Sequence, residues 1–348
     1  DQHLNMGSDL YRSQTDFRGA FDLCAEHLQS LLARDIRQDL FREEVKGSTS
    51  NSSSAPDFRA MLRRGSSEST RPEVEGLEAT EIVQPLMFAF VYSLATMWQQ
   101  VGLKPDALIG YSVGEYVAAC LAGVFSLPDA LAIVATRAKL IAEMPRGGLM
   151  AVPLSEKDCQ SLLGDSVYVA ITSSPKQTIL AGTPTSLGEV QLSLKAKGIV
   201  ARALPGSHAY HSPMLSPVSE RLERHLNLVK LKKPSVPIIS NLTGKPLRES
   251  EATRPDYWSK HTCSTVRFHE GLSFLLQSGD MDLLEVGPGR SLGSFAMQNP
   301  LYNKTGIHNM LSTISGKWEN LSDERVFLDS RGVLHLLGHN SVPEGVRP

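Results

Sequence analysis

The sequence predicts an α/β protein carrying a compact inserted subdomain, and three observations carry that prediction. A short apolar strand, Ala107–Ile109, runs directly into the turn Gly110-Tyr111-Ser112-Val113-Gly114 and then into a helix. Between Leu149 and Leu204 the rhythm changes to short runs that read strand, helix, strand, strand, helix, strand. A chain of 348 residues holds about two domains at roughly 100 to 200 residues each, or one large domain with a smaller insert.

The elements follow in order. Ile82–Val101 is almost wholly apolar and reads as a buried helix, with Pro85 near its start, where a proline is tolerated. After the strand Ala107–Ile109, Glu115–Leu121 resumes helix and stops at Gly123. Ser126-Leu127-Pro128-Asp129 supplies a start resembling a capping box for a helix that runs through about Glu143. Next come strand Met150–Val152, helix Glu156–Leu163, strands Val167–Thr172 and Gln177–Ala181, helix Thr183–Ala196 and strand Val200–Leu204. That order is the ferredoxin-like βαββαβ unit, with helices packed on one face of an antiparallel sheet. The body resumes with helix Pro213–Leu226, strand Val236–Ser240, helix Phe268–Gln277 and strand Leu283–Val286, which ends in Gly287-Pro288-Gly289. The expected division is 1–146 with 207–314 for the body and 147–206 for the insert. From 315 to 348 apolar residues recur only weakly, which reads as a C-terminal linker or tail. Gly47–Ser54 and Gly65–Pro72 are Ser-rich, with too few apolar groups to offset ordering entropy, and read as one long surface excursion.

Composition narrows the function. Lys and Arg total 35 against 37 Asp and Glu, a net charge of -2, which argues against a basic nucleic-acid binder. The longest apolar run, Leu86–Trp98, is broken by Ser93 and Thr96 and falls short of the roughly 20 residues a membrane helix needs. Cys24, Cys120, Cys159 and Cys263 form no Cys-x-x-Cys pair, so neither a zinc site nor a disulfide framework is expected, and a reducing cytoplasm is. The chain opens at Asp1 without an initiator Met or a signal-like segment, and reads as a piece of a longer polypeptide.

Gly-x-Ser-x-Gly between a strand and a helix lifts the Ser112 hydroxyl above the sheet and aims the first helical amides, starting with Val113 N–H, at an oxyanion. The plainer reading is a glycine turn with an N-capping serine; the strand-turn-helix context favours a nucleophile. A serine needs a base. His208 and His211, in Ser207-His-Ala-Tyr-His-Ser212, lie just beyond the insert's last strand, at a seam where clefts form. Spacing does not choose between them, and a boundary histidine held by hydrogen bonds is the alternative for either. Arg137 falls on the buried stripe Ala130, Ile133, Val134, Arg137, Ile141. It calls for an anion, either a protein carboxylate such as Glu285 or a substrate carboxylate held bidentately.

At these residues the sequence resembles the acyltransferase domain of modular type I polyketide synthases and, more distantly, the malonyl-CoA:acyl carrier protein transacylases of fatty-acid synthesis. The resemblance covers nearly the whole chain. It rests on MGSDLYR near Met6, FRGAFDLCAEHL, the Gln84-Pro85 helix, GYSVGEYVAACLAGVFSLPDAL, the Arg137 helix, SHAYHSPM, ISNLTGKP, YWSKH, VRFHEGL and EVGPGRSL. It implies a large α/β hydrolase-like body with a ferredoxin-like insert. It implies Ser112 as the acyl-accepting nucleophile, His211 rather than His208 as the general base, and Arg137 as the clamp on a malonyl-type carboxylate. Val113 gives the oxyanion-hole amide, while Tyr210, Tyr111 and Gln84 complete the substrate-binding set. Asn241 and the main-chain carbonyl near Arg267 match positions that hold the histidine ring, a dyad in which a carbonyl does the orienting work of a third side chain.

The departures have consequences of their own. The family's Gly-Gln-Gly-x-Gln loop survives only as Gln2, which puts the second oxyanion donor and the first strand upstream of Asp1. Tyr111 replaces the usual His before the nucleophile, Tyr210 replaces a Phe, and Thr172-Ser173-Ser174-Pro175 replaces a common Val-Asn-Gly-Pro. An aromatic at Tyr210 accompanies malonyl in the family, whereas methylmalonyl accompanies a Tyr-Ala-Ser-His signature. The expected reaction moves malonyl from malonyl-CoA to the phosphopantetheine thiol of an acyl carrier protein in polyketide biosynthesis, beside a ketosynthase domain of the same polypeptide. No bound cofactor, metal, nucleic acid or membrane is expected. Two alternatives stand: a serine hydrolase using Asp329 with His335 or His339, in the chain order of that class, and an inactive domain that docks carriers through the basic stretch Lys195–Lys233.

Overall fold

A computed structural model describes residues 2–41, 79–302, 304, 306–317 and 319–339; the two Ser-rich stretches lie outside the described residues. Helices α1 (Ser8–Ser13), α2 (Thr15–Leu32) and α3 (Ile36–Leu40) open the chain, where the sequence reading assigned no element. α2 buries Phe17, Phe21, Cys24, Ala25 and Leu28, one helical stripe, against α4 (Thr80–Gln100), with Phe17 edge-on to Phe90 at 5.5 Å. Gly7 sits at φ 69°, and a Cβ there would stand 2.6 Å from the Phe90 ring, so only glycine lets this end of the chain settle on α4. α4 starts two residues before the apolar run, which moves Pro85 into its second turn. There it withholds a donor from the Glu81 carbonyl.

The body continues with β1 (Leu108–Ile109), α5 (Val113–Leu121) and α6 (Leu127–Ala142). Ser126 caps α6 by accepting from Asp129 N–H at 3.3 Å, as the sequence signal predicts. Next come β2 (Gly148–Val152), α7 (Glu156–Cys159) with a 3₁₀ turn through Leu162, β3 (Val167–Ser174), β4 (Gln177–Gly182), α8 (Pro184–Ala196) and β5 (Arg202–Leu204). Their strands form one antiparallel sheet in the order β3-β4-β2-β5. The unit has its own core of Met150, Val152, Val169, Leu180, Leu187 and Leu194. β5 begins after Val200, which is 84% exposed and contributes nothing to that core.

α9 (Ser216–Leu226), β6 (Ile238–Ile239), α10 (Glu249–Ala252), α11 (Pro255–His261) and α12 (Phe268–Leu276) return the chain to the body. β7 (Met281–Glu285), α13 (Ser291–Met297) and β8 (His308–Ser312) follow. β1 pairs with β6 and β7 with β8, both parallel. The two units are joined by backbone, because Val266 extends the edge of β3: Thr172 N–H donates to Val266 O at 3.0 Å and Val266 N–H to Ala170 O at 2.9 Å. No helix among the described residues is long and apolar enough to cross a membrane.

Within the stretch expected to be a linker, residues 323–336 form a packed helix. α14 (Asp323–Leu336) buries Phe327 and Leu334, and Phe327 lies edge-on to Trp98 of α4 at 4.7 Å. Asp323 ties this helix to the start of the chain by accepting Gly7 N–H at 3.0 Å. Aromatic burial supplies the stability that weak periodicity failed to signal.

Candidate active site

The nucleophile turn is set by the parallel pair β1–β6. Leu108 faces Ile238 and Ile109 faces Ile239, so extending both strands in register brings Asn241 beside Gly110–Ser112. Asn241 Nδ2 donates to Gly110 O at 2.8 Å, and its Oδ1 accepts Ser112 N–H at 3.1 Å. Ser112 is held at φ 56°, ψ -119°, a conformation that costs about 1–3 kcal/mol and persists only when its surroundings impose it. Of the motif's two glycines only Gly110 is required by close packing. A Cβ on Gly110 would lie 2.1 Å from Glu115 N, whereas one on Gly114 meets nothing within 4 Å. Val113 opens α5, so its N–H belongs to the first-turn amides that lack an intrahelical acceptor.

Ser112 Oγ lies 2.6 Å from His211 Nε2. His211 is buried, takes φ 57°, and its Nδ1 lies 3.1 Å from the carbonyl of His261, the last residue of α11. A helix's final carbonyls have no intrahelical donor, so this one is available to accept Nδ1–H. That bond assigns the tautomer: Nε2 presents a lone pair to the serine hydroxyl. Burial, then the His261 ring and the Arg137 charge, hold the imidazole well below its ordinary 6.5, so it is neutral and able to accept a proton at pH 7. The carbonyl expected near Arg267 is therefore that of His261. Arg267 pairs with Glu156 and Glu270, and its N–H donates to Asn241 O at 2.7 Å. Asn241 orients the serine turn rather than the His211 ring. His208 bonds Ser207 Oγ at 2.9 Å and does not meet Ser112.

Arg137 is 1% exposed on α6. Its Nη1 donates to Gln84 Oε1, its Nε donates to Thr262 Oγ1 at 3.3 Å, and its carbon Cζ stands 5.7 Å over the Tyr116 ring. Nη2 is buried with no hydrogen-bond partner. The bridge to Glu285 is not made, because that carboxylate accepts the amides of Leu292 and Gly293 at 3.1 and 2.8 Å. Among the described residues no carboxylate pairs with Arg137. Gln84 Nε2 and the Tyr210 hydroxyl both donate to Thr80 Oγ1, the latter at 2.9 Å, so Arg137, Gln84, Thr80 and Tyr210 form one hydrogen-bonded chain. Tyr210 thus has the hydroxyl partner that a partly buried tyrosine requires.

Two residues central to the site escaped sequence reasoning, Glu115 and His261. Glu115 is fully buried and accepts Asn241 N–H at 2.8 Å and the Tyr257 hydroxyl. His261 Nε2 stands 3.4 Å from Glu115 Oε2. The signal for Glu115 was present: a charge on the otherwise apolar helix Val113–Leu121, the same anomaly that singled out Arg137. A serine on a strained strand-to-helix turn, bonded to a neutral histidine and accompanied by a cation that lacks an anion, is equipped for acyl chemistry on an acidic substrate.

The model of the acyl transferase domain family matches residues 1–341. The chain belongs to that family. A phenolphthiocerol/phthiocerol polyketide synthase of Mycobacterium tuberculosis is 29% identical over 337 residues, which are 97% of this chain and 21% of that protein. Phenolphthiocerol synthesis polyketide synthase type I Pks15/1 of Mycobacterium marinum is 34% identical over 293 residues, 84% of this chain and 12% of its own. The acyl transferase domain of SpnD, solved in complex with 2-(pent-4-yn-1-yl)malonyl, gives a TM-score of 0.83 at 30% identity, covering 98% of this chain and 74% of that one. The acyl transferase domain thus spans about a fifth or less of these polyketide synthases.

Within this acyl transferase domain the residues of the hydrolase alternative stand apart. Asp329 accepts from Arg325 Nε at 2.8 Å, His339 Nε2 lies 2.6 Å from Asp282, and His335 sits on α14. Ser112 Oγ is engaged by His211 instead. Tyr111 packs edge-on to Phe268 at 5.1 Å with its hydroxyl 3.2 Å from Ser173, and burial pushes that hydroxyl up to about 12. It therefore braces the turn against the antiparallel unit as a neutral phenol. Among the described residues no group of three or more His, Cys, Asp or Glu could hold a metal ion.

Proposed function

We propose that this acyl transferase domain loads malonyl from malonyl-CoA onto the phosphopantetheine thiol of an acyl carrier protein, in a cytoplasmic polyketide synthase where a ketosynthase domain adjoins it. The observation that carries the reading is the buried Arg137 Nη2 without a partner, beside a Ser112–His211 pair at 2.6 Å. His211 Nε2 takes the Ser112 proton as Oγ attacks the thioester carbonyl carbon, and Val113 N–H stabilises the oxyanion. The tetrahedral intermediate collapses, the carbon–sulfur bond breaks, and His211 returns the proton to the departing CoA thiol. The carrier's thiol attacks the acyl-serine in the same way, again with His211 relaying the proton, and malonyl leaves on the carrier.

Arg137 selects a second carboxylate, and Tyr210 limits what fits beside the α-carbon. Malonyl is the preferred unit and methylmalonyl the nearest competitor, since one methyl changes binding in a hydrophobic pocket by only about 1–3 kcal/mol. The test is intact-protein mass spectrometry after incubation with malonyl-CoA and with acetyl-CoA. A malonyl adduct that disappears in Ser112→Ala is the expected result. Absence of any adduct, or an adduct retained in Ser112→Ala, overturns the reading; preferred labelling by methylmalonyl-CoA in competition overturns the malonyl preference alone.

A further inference from the structure

The family reading gives the Ser112–His211 dyad no third side chain, yet a fully buried carboxylate stands behind it. Glu115 lies three residues past Ser112 on α5. Its Oε2 accepts Asn241 N–H at 2.8 Å, and its Oε1 accepts the Tyr257 hydroxyl, which also lies 2.7 Å from Ser240 Oγ. His261 Nε2 stands between Glu115 Oε2 at 3.4 Å and Asn241 Oδ1 at 3.3 Å, so it is Nε2 that carries the proton. This same His261 offers its carbonyl to His211 Nδ1, and the two rings meet edge-on at 5.5 Å. A carboxylate removed from water is retained where donors and a compensating charge hold it. The donors are permanent; the charge arises whenever His211 becomes an imidazolium.

We propose that Glu115 is a positioning residue that fixes His261 and thereby His211, and that its negative charge stabilises the proton His211 takes from Ser112. The inference rests on the acyl-transfer reading. Arg137 and the His261 ring oppose protonation of His211, and the His261 and Ser264 backbone favours it. Around Glu115 stand Tyr257, His261 and, at the edge of the His261 ring, Tyr116. Arg137 thus sets a positive charge against the base, and Glu115 supplies the opposing sign from behind His261.

The experiment follows acyl-Ser112 formation from malonyl-CoA by quenched mass spectrometry across the pH range in which His211 titrates. Glu115→Gln keeps the shape and removes the charge. The expected result is a plateau rate lower on the order of tenfold and an acid midpoint displaced to lower pH, since a lost anion leaves the imidazolium less favoured. Glu115→Asp, with the charge on a shorter arm, holds the wild-type midpoint even where its rate falls. A Glu115→Gln form that matches wild type in rate and midpoint overturns the proposal. So does a displaced midpoint in Glu115→Asp, or a rate loss in both variants with no displacement in either, which marks a purely structural residue. Absence of an adduct in the unmodified chain overturns the acyl-transfer reading itself and takes the proposal with it.

Discussion

On the proposed acyl-transfer reading, removing the Arg137 guanidinium should slow acylation by malonyl-CoA far more than by acetyl-CoA, and the structure gives the size. Two of its three nitrogens are committed, Nη1 to Gln84 and Nε to Thr262, which leaves Nη2 as the donor available to a substrate carboxylate. The site is fully desolvated, and burial lowers the pKa of the guanidinium, so the charge is held there at a cost that an incoming anion relieves. A hydrogen bond to a charged group contributes about 1.5–3 kcal/mol. Taking the upper value because both partners are ionic and buried, loss of about 3 kcal/mol corresponds to a roughly 150-fold fall in the acylation rate constant for malonyl-CoA. Acetyl-CoA has no second carboxylate, and its rate should fall only by whatever the packing change costs.

The assay is therefore a ratio: second-order acylation of Ser112 by each CoA ester, in wild type and Arg137→Ala, with melting curves as control. A malonyl-to-acetyl ratio reduced by about two orders of magnitude is expected. Arg137→Lys should recover only part of it, because a single ammonium nitrogen cannot occupy the separate positions from which Nη1 meets Gln84, Nε meets Thr262 and Nη2 is left for a substrate. Equal losses for both esters would refute the reasoning, since they would make Arg137 a structural residue. An undiminished malonyl rate would do the same by a different route, leaving the unpaired Nη2 without a function.

Three further outcomes follow. Gly110→Ala should destabilise the domain by about 3 kcal/mol in denaturant unfolding, because the new Cβ meets backbone that cannot yield, while Gly114→Ala should fold at least as well as wild type; equal effects would contradict the geometry of the turn. The His211 pKa is depressed on folding, so the unfolded chain binds the proton first: stability is full above 6.5 and declines as pH falls from 6.5 toward the folded value, and the acid limb of acylation lies below 6.5. A kinetic midpoint at or above 6.5 would contradict this. Phe327→Ala should lower unfolding free energy by about 3–5 kcal/mol, whereas a tail that merely links domains would lose nothing measurable.

What could be read from the chain, and what could not, divides by the range of the interaction. Ser112 was legible because its strand, glycine turn and helix are consecutive, and Arg137 because a charge interrupts a helical apolar stripe within a few turns. The choice between His208 and His211 was not legible from spacing, since both lie in the same short stretch and only the folded chain aims one of them at Ser112. The C-terminal helix escaped because its buried positions Val326, Phe327, Ser330 and Leu334 include a serine, while Leu328, Val333, Leu336 and Leu337 spread apolar residues over the exposed side. That mixture dilutes the apolar periodicity by which a helix is read from sequence, and α2 escaped as well even though Phe17, Phe21 and Leu28 share one stripe. Val200 was misread for the opposite reason: a β-branched residue suggested strand, but it faces water beyond the sheet's end.

The site itself is the strongest case of this division, since its hydrogen bonds join residues that sequence neighbours say nothing about. Ser112 meets His211 across 99 positions and Asn241 across 129, and Arg137 meets Thr262 across 125. Each is brought in by a different device: the serine by the β1 turn, Asn241 by parallel register with β6, and the His211 acceptor by the last turn of α11. None of these devices is strong alone, for β1 and β6 pair only two residues each and α11 is a short helix. Their joint precision comes from Glu115, Asn241 and Tyr257, which tie the nucleophile helix, the β6 loop and α11 into one buried network. Loosening that network should reach the chemistry even when neither Ser112 nor His211 is touched. A single buried carboxylate, marked in the sequence only by a charge on an apolar helix, can therefore tie together three distant elements of the site.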